Sequence, residues 1–184
     1  MRHGWKVDER VAYETPWWRL YNDSVTAPDG SESTYVWART TSGSGAVMCI
    51  PRTEDGRILL IRIYRHPMRR ETWEFVAGLI DDGETAEQAA IRELGEEIGV
   101  TPSSVRMFPS YVPISGFVGD EFHVALATIP DVTLSELRLQ ADEGISGARF
   151  VDSSELGAMV RDGQIEDGIT LVALAHYWAS LEAR

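Results

Sequence analysis

This chain predicts a mixed α/β fold in which a sheet is covered by helices. Three observations carry that expectation. Runs rich in branched and aromatic residues recur along the chain, among them "AVMCIP" (46–51), "ILLIRIYR" (58–65) and "FHVALATI" (122–129). Between them stand capped helical patterns, the first opening at Thr85 and the last at Asp167. With 43% hydrophobic residues and six tryptophans in 184 residues, the chain can fill the core of one compact domain with a small appendage.

Taken in order, residues 11–40 read as strands. "YNDSVTA" and "SESTYVWAR" flank Pro28-Asp29-Gly30, where proline presets φ and glycine supplies a turn. "TTSGSG" (40–45) reads as a flexible joint, dividing an N-terminal β-rich segment (1–42) from the main domain (43–184). Its glycines precede a strand rather than a helix, which argues against a dinucleotide-binding loop. "EDGR" turns the chain into a central strand, "ILLIRIYR". Thr85 and Gln88 then form a capping box for a helix whose apolar side is Ala89, Ala90, Ile91 and Leu94, with Gly99 as its stop. Further strands are expected at "VRMFPSYVP", "FHVALATI" and "GARFV". Ser153 is the expected cap of "SELGAMVR", and Asp167 of the final helix "GITLVALAHYWASL".

Composition excludes several function classes. A net charge of −12 disfavours nucleic acid and anionic membranes as partners, though a small anionic ligand answers to local arginines and bound metals instead. No apolar run reaches transmembrane length, and the N-terminus lacks the apolar stretch of a signal peptide. Cys49 is the one cysteine, so an intrachain disulfide is impossible, which suits a reducing cytoplasm.

The informative segment is "GLIDDGETAEQAAIRELGEEIGV" (78–100). Glu93, Glu96 and Glu97 fall three and four apart on the helix, close enough to share a face. Like charges at that spacing weaken an isolated helix, and they sit near its C-terminus, where the dipole disfavours anions. A divalent cation reverses each of those penalties; the alternative is a solvated acidic face. Carboxylates without thiolate or imidazole partners suit Mg²⁺ or Mn²⁺.

Gly78, Glu84, Arg92, Glu93, Leu94, Glu96, Glu97, Gly99 and Val100 stand at the spacing G-x5-E-x7-R-E-U-x-E-E-x-G-U, where U is aliphatic. This resembles the Nudix box, signature of the Nudix hydrolase superfamily. "EDGRILLIRIYRHP", "WEFVAGLIDDGE" and "GQIEDGITLVAL" extend the likeness to the ADP-ribose pyrophosphatase branch. The resemblance implies a Nudix-type α/β/α sandwich with a mixed sheet, and a small N-terminal β-rich segment that joins a homodimer and helps bind the nucleoside. It implies hydrolysis of the pyrophosphate in ADP-ribose or a related nucleoside diphosphate sugar. In that reading Glu93, Glu96 and Glu97 hold Mg²⁺ or Mn²⁺ together with the Ala77 carbonyl, Arg92 orients the glutamates and Glu84 supports them. Arg65 and Arg39 fall where relatives contact the substrate, or are ordinary surface cations; Glu74, in "WEFVAG", joins them as a substrate contact. "PISGFVGDE" (113–121) departs from the branch's "SPGF"-like loop, which leaves another nucleotide sugar open. A Nudix-fold sensor that binds nucleotide without cleaving it is the alternative function.

The general base is less defined. Glu143, in "QADEGIS" (140–146), matches a metal-binding position of relatives and is the candidate ligand or base, or else a solvated loop acid; Asp120 and Glu121 are second candidates or turn residues. Cys49, His66, His123 and His176 read as packing residues. Trp17, Trp18 and Trp37 read as packing or dimer contacts, with one of them free to stack on a base.

Overall fold

The computed structural model describes residues 4–182; residues 1–3, part of the expected N-terminal segment, and 183–184 lie outside the description. Two sheets make up the chain. In the smaller one, β3 (Trp18–Thr26) is the centre. Its whole length pairs with β4 (Glu32–Thr40), while β1 (Lys6–Asp8) and β2 (Val11–Glu14) share its other edge, all antiparallel. The β3–β4 hairpin closes through the Pro28-Asp29-Gly30 turn. Gly30 takes φ +87°, and Asp29 accepts the amide of Ser31. β1 was not expected from the sequence, because three exposed residues carry no period to read. Between the strands, Tyr21 stacks on Trp37 with ring centroids 4.1 Å apart, and the Trp37 indole N–H donates to buried Asp23 at 2.6 Å.

The larger sheet is mixed. Its path runs β11 (Ile145–Val151), β6 (Ile58–Arg65), β5 (Ala46–Thr53), β10 (Phe122–Ile129), β9 (Ser104–Met107). β5 and β10 are parallel, and every other pair is antiparallel. β5 and β6 meet only at Arg52 and Ile58 and then part. Into that fork go β7 (Arg70–Glu74) on β6 and β8 (Val76–Leu79) on β5, joined through Phe75, which is wholly buried. Ala46 consequently has Leu79 opposite it on one side and Phe122 on the other.

Strand alternation divides the core into two faces. Val47, Cys49, Leu59 and Ile61 meet Ala89, Ala90 and Leu94 of α1 (Ala86–Glu97). Met48, Ile50, Ile58 and Leu60 turn the other way, onto Leu156 of α2 (Ser153–Arg161) and Ala173 and Leu174 of α3 (Gly168–Glu182). The result is the expected α/β/α arrangement. None of the described helices is long and apolar enough to cross a membrane.

Local expectations were corrected at three places. The strand foreseen at 105–113 ends at Met107 and continues only as a Phe108 N–H bond to Val124 O and a bridge between Tyr111 and Phe122, since Pro109 and Pro113 cannot donate to a ladder. Asp152 caps α2 in place of Ser153, accepting the amides of Ser154 and Glu155 at 2.8 Å each. Ile91 is exposed rather than buried, because the buried stripe of α1 is completed by Glu93 and Glu97.

The two sheets are laced together by the loop before β10. The Ala38 N–H donates to Phe117 O, the Gly119 N–H to Ala38 O, and the Thr40 N–H to the Asp120 carboxylate, which is 4% exposed. Gly45 lies at the crossing with φ +77°, and a Cβ there would stand 1.9 Å from the carbonyl oxygen of Glu121. Gly45→Ala therefore meets both an unfavourable backbone region, costing about 1–3 kcal/mol, and a rigid clash. Urea unfolding should show a loss of stability above that range's lower bound; an unchanged midpoint would refute the crossing's tightness.

Candidate active site

The capping box of α1 forms as expected. The Gln88 N–H donates to Thr85 Oγ1 at 3.2 Å, and the Thr85 N–H donates to Gln88 Oε1 at 2.9 Å. Gly99 takes φ +72° just past the helix. That framing sets the helix rotation, which buries Glu93 to 7% and Glu97 to 2% exposure and leaves Glu96 outside.

Arg92 is the hub of the acidic cluster and uses five hydrogen bonds. Its Nε and Nη2 donate to the two oxygens of Glu84 at 3.0 and 2.9 Å, and Nη2 also donates to Leu79 O at 2.9 Å. Nη1 donates to Glu93 Oε1 at 2.6 Å and Glu96 Oε2 at 3.0 Å. Bidentate pairing to Glu84 fixes the plane of the guanidinium, and the remaining edge holds two glutamates on one side. Glu84 also accepts the Asp81 amide, and the Arg92 hydrogen bonds hold its carboxyl below the usual carboxylate range.

A cavity of about 310 Å³ opens beside this hub, walled by Glu93, Glu96, Glu143, Ala77, Arg92 and Trp17. Glu143 arrives from a short 3-10 turn (Ala141–Glu143) that ends on Gly144 at φ +84°. The turn is docked on the end of α1: the Arg138 N–H donates to Ile98 O and the Gln140 N–H to Glu97 O, both at 3.0 Å. The Gln140 amide donates to Glu143 Oε1 at 3.1 Å.

Burial is the largest influence on the two inner glutamates. It raises Glu93, with Arg92 pulling against it. It also drives Glu97 up to about 8, with the charges of Glu93 and Glu143 adding to the rise and the Ala77 backbone and Arg65 opposing it. One Glu97 oxygen, Oε2, is enclosed and accepts no hydrogen bond. Gly78 leaves room for the cluster, since a Cβ there would stand 1.8 Å from Glu93 Oε1. A divalent cation fits these residues in donor type and in charge. The donors are hard oxygens, one buried acceptor lacks a partner, and like charges raise one another's pKa. Among the described residues, no three acidic, His or Cys side chains already surround a single point, because Glu93 and Glu96 both turn to Arg92.

The other candidates divide. Arg65 donates from Nε and Nη2 to the two oxygens of Glu74 at 3.0 and 2.6 Å, and Thr72 Oγ1 donates to the same carboxylate at 2.5 Å. Glu74 is 2% exposed, so the expected direct substrate contact is corrected: both oxygens are already taken, and it reaches outward only through Arg65. Arg65 itself is partly exposed and close enough to Glu97 for their charges to interact. Arg39 lies away from the acidic cavity, 3.5 Å from Asp120 and against Gly43. Asp120 is tied to the Thr40 amide, and Glu121 accepts Ser110 Oγ at 2.6 Å, so neither second candidate for the base reaches the cluster.

Cys49 is fully buried, and burial pushes its thiol up, which keeps it protonated. His176 packs against Phe108 and Tyr111, His66 Nδ1 faces Arg69, and His123 is half-buried in β10. The position of Trp17, 64% exposed on the cavity wall, was not legible. The only signal was the Trp17-Trp18 pair at the start of a strand, which puts one ring on each side without saying which.

Residues 43–171 match the NUDIX domain family. An ADP-ribose pyrophosphatase of Bacillus subtilis (strain 168) is 30% identical over 153 residues, covering 83% of this chain and 74% of that protein. A methanol dehydrogenase activator of Bacillus methanolicus is 28% identical over 86% of this chain and 83% of its own length. A crystal structure titled as an ADP compounds hydrolase superposes with a TM-score of 0.75 over 98% of this chain and 96% of its own, at 19% identity, a likeness of fold.

Glu97 has a pH consequence. Its folded-state pKa lies above the ordinary value of 4.5, at about 8. The stability it contributes is therefore complete below pH 4.5 and is lost as pH rises toward 8. In chelator, urea titrations between pH 5 and 8.5 should show wild type losing stability relative to Glu97→Gln across that interval. Parallel curves would refute the burial-driven shift.

Proposed function

The chain belongs to the NUDIX domain family, and from that premise we propose that it is a divalent-metal-dependent pyrophosphohydrolase of ADP-ribose or a closely related nucleoside diphosphate sugar. The observation that carries the reading is the Arg92-centred cluster, in which buried Glu93 and Glu97 share one helix face and Glu143 is brought to the same cavity. A full set of carboxylates is expected of a catalyst and is superfluous in a protein that only binds nucleotide. The Bacillus subtilis relative supports ADP-ribose as the substrate.

Glu93, Glu96, Glu97 and the Ala77 carbonyl would hold Mg²⁺ or Mn²⁺. Bound there, divalent ions neutralise the pyrophosphate's charge and acidify water. The protein's own groups do the remaining work. Arg92 keeps the glutamates from drifting into solvent. Glu74, itself bound by the Thr72 hydroxyl, holds the Arg65 guanidinium flat, and its Nη1 makes no hydrogen bond to the protein among the described residues, which leaves that edge for a phosphate oxygen. Glu143 accepts the proton of the attacking water. One bond from phosphorus to the bridging oxygen breaks, and ADP-ribose plus water becomes AMP and ribose 5-phosphate. Trp17 offers the nucleobase an exposed indole face at the cavity wall.

Two further features belong to this reading. Val11, Tyr13, Tyr35 and Val36 leave apolar surface exposed on the smaller sheet, which suits residues 1–42 to a homodimer contact near the substrate. A single buried free thiol suits the cytoplasm.

With Mg²⁺ and ADP-ribose, the purified chain should release AMP and ribose 5-phosphate, measured by chromatography, and chelator should abolish the reaction. Glu97→Gln should lower kcat by about a hundredfold or more. Full turnover in excess chelator, or an unimpaired Glu97→Gln, would reject the proposal.

A further inference from the structure

Glu143 reaches the acidic cavity from an exposed turn, and electrostatics alone would turn it away. Its charge raises the pKa of both Glu93 and Glu97, so the repulsion is mutual and favours a Glu143 carboxylate swung into solvent. Glu93 and Glu96, the other glutamates on the cavity wall, are both held by Arg92. Glu143 has no such cation. Arg138, the arginine nearest to it in sequence, packs over Gly99 instead. Among the described residues one side-chain hydrogen bond holds Glu143, donated by Gln140 Nε2 to its Oε1 at 3.1 Å.

Gln140 is itself fastened to the helix. Its N–H donates to Glu97 O at 3.0 Å, and its carbonyl accepts the Glu143 N–H at 3.3 Å. Backbone and side chain thus close one ring between residues 140 and 143, hung from the end of α1. Gln140 occupies the N-cap position of the 3-10 turn, where a side chain ordinarily accepts a backbone amide, and it makes no such bond. Its Oε1 is enclosed and has no hydrogen-bond partner. An enclosed acceptor left unpaired costs stability, so its retention needs a reason. The grip on Glu143 is the one hydrogen bond this side chain makes among the described residues. A carboxamide also suits that task, because it lends an N–H without a positive charge and leaves the carboxylate's negative charge intact.

We propose that Gln140 is a positioning residue for hydrolysis, holding Glu143 on the cavity wall so that its free oxygen takes the proton of the attacking water. The assignment rests on the pyrophosphohydrolase reading and adds what keeps its base in place. Oε1 of Glu143 is fixed by the amide, whereas Oε2 makes no hydrogen bond to the protein among the described residues and is the oxygen that receives the proton. The water oxygen bonds to phosphorus as the bridging P–O bond breaks, and that bond's electron pair leaves with the departing phosphate. Because the ring hangs from the Glu97 carbonyl, the base keeps a set place relative to the helix that carries the inner glutamates. Gln140 touches neither the substrate nor the reacting atoms, so its loss shows in turnover and not in substrate binding.

The test is Gln140→Met, which keeps the length of the side chain and removes both the N–H and the unpaired oxygen. With Mg²⁺ and ADP-ribose, kcat should fall about tenfold while KM stays within about twofold of wild type. The melting temperature in chelator should be no lower than that of wild type. In a Glu143→Ala background the same substitution should leave the residual kcat unchanged, since an absent carboxylate cannot be positioned. A crystal structure of Gln140→Met should show the turn in place and the Glu143 carboxylate swung out of the cavity, a readout that needs no turnover. An unimpaired kcat, a loss accompanied by a raised KM or a lower melting temperature, an equal loss in both backgrounds, or an unmoved carboxylate overturns the assignment. A wild type without Mg²⁺-dependent turnover removes the hydrolase reading and this role together, whereas an active wild type with an unaltered Gln140→Met removes this role alone.

Discussion

The guanidinium of Arg92 is the constraint on which the rest of the site depends. Two glutamates on one turn of α1 are buried, and like charges that close in a poorly solvated place oppose folding. Arg92 answers part of that cost by direct contact with Glu93, and it draws Glu96 from the surface to the same edge. Glu84 is what keeps Arg92 in position, by a two-point grip that leaves the guanidinium no other orientation. Glu97 lies beyond this network. Its unpartnered oxygen and raised pKa mark a place in the cluster where the protein supplies negative charge without supplying its counterpart. Such a deficit is what a cation site looks like from the protein's side.

The surrounding backbone is shaped to that cluster. Because β5 and β6 separate after one pairing, β8 can run beside α1 and bring Ala77, Gly78 and Leu79 to the carboxylates. Gly78 is required there by space, and Leu79 contributes its carbonyl to Arg92. The segment that leads into the 3-10 turn with Glu143 is tied by backbone bonds to carbonyls at the end of α1, which fixes the turn's position against the helix. Arg65 is held in the same spirit by the buried Glu74 carboxylate, which in turn accepts the Thr72 hydroxyl.

Much of this was legible in the sequence where the signal is local. The capping box at Thr85, the stop at Gly99 and the three- and four-residue spacing of the glutamates are short-range facts, and the helix follows them. The central strands and their cover of helices were legible from the apolar runs "AVMCIP" and "ILLIRIYR". What could not be read is non-local. That Ile91 faces water follows from glutamates having taken the buried stripe. That Glu74 is spent on Arg65 depends on pairing between β6 and β7, and the lacing of Ala38 to Phe117 and Gly119 joins segments some eighty residues apart. Trp17 and Trp18 show the limit most plainly, since a one-residue slip in β3 exchanges their surroundings.

The fork between β5 and β6 has a consequence for how such a protein can diversify. The acidic cluster is gathered on α1, β8 and the turn docked on them, inside the fork, with Arg65 and Glu74 facing it from β6 and β7. Trp17, Trp18, the lacing loop and the start of α3 all lie outside it, on segments that make no hydrogen bond to the acidic cluster. Lineages could exchange the outer segments, lengthening a loop or trading one ring for another, while inheriting the inner apparatus unaltered. A single ancestral engine would then serve many cargoes, with selection acting on the rim and leaving the interior at rest.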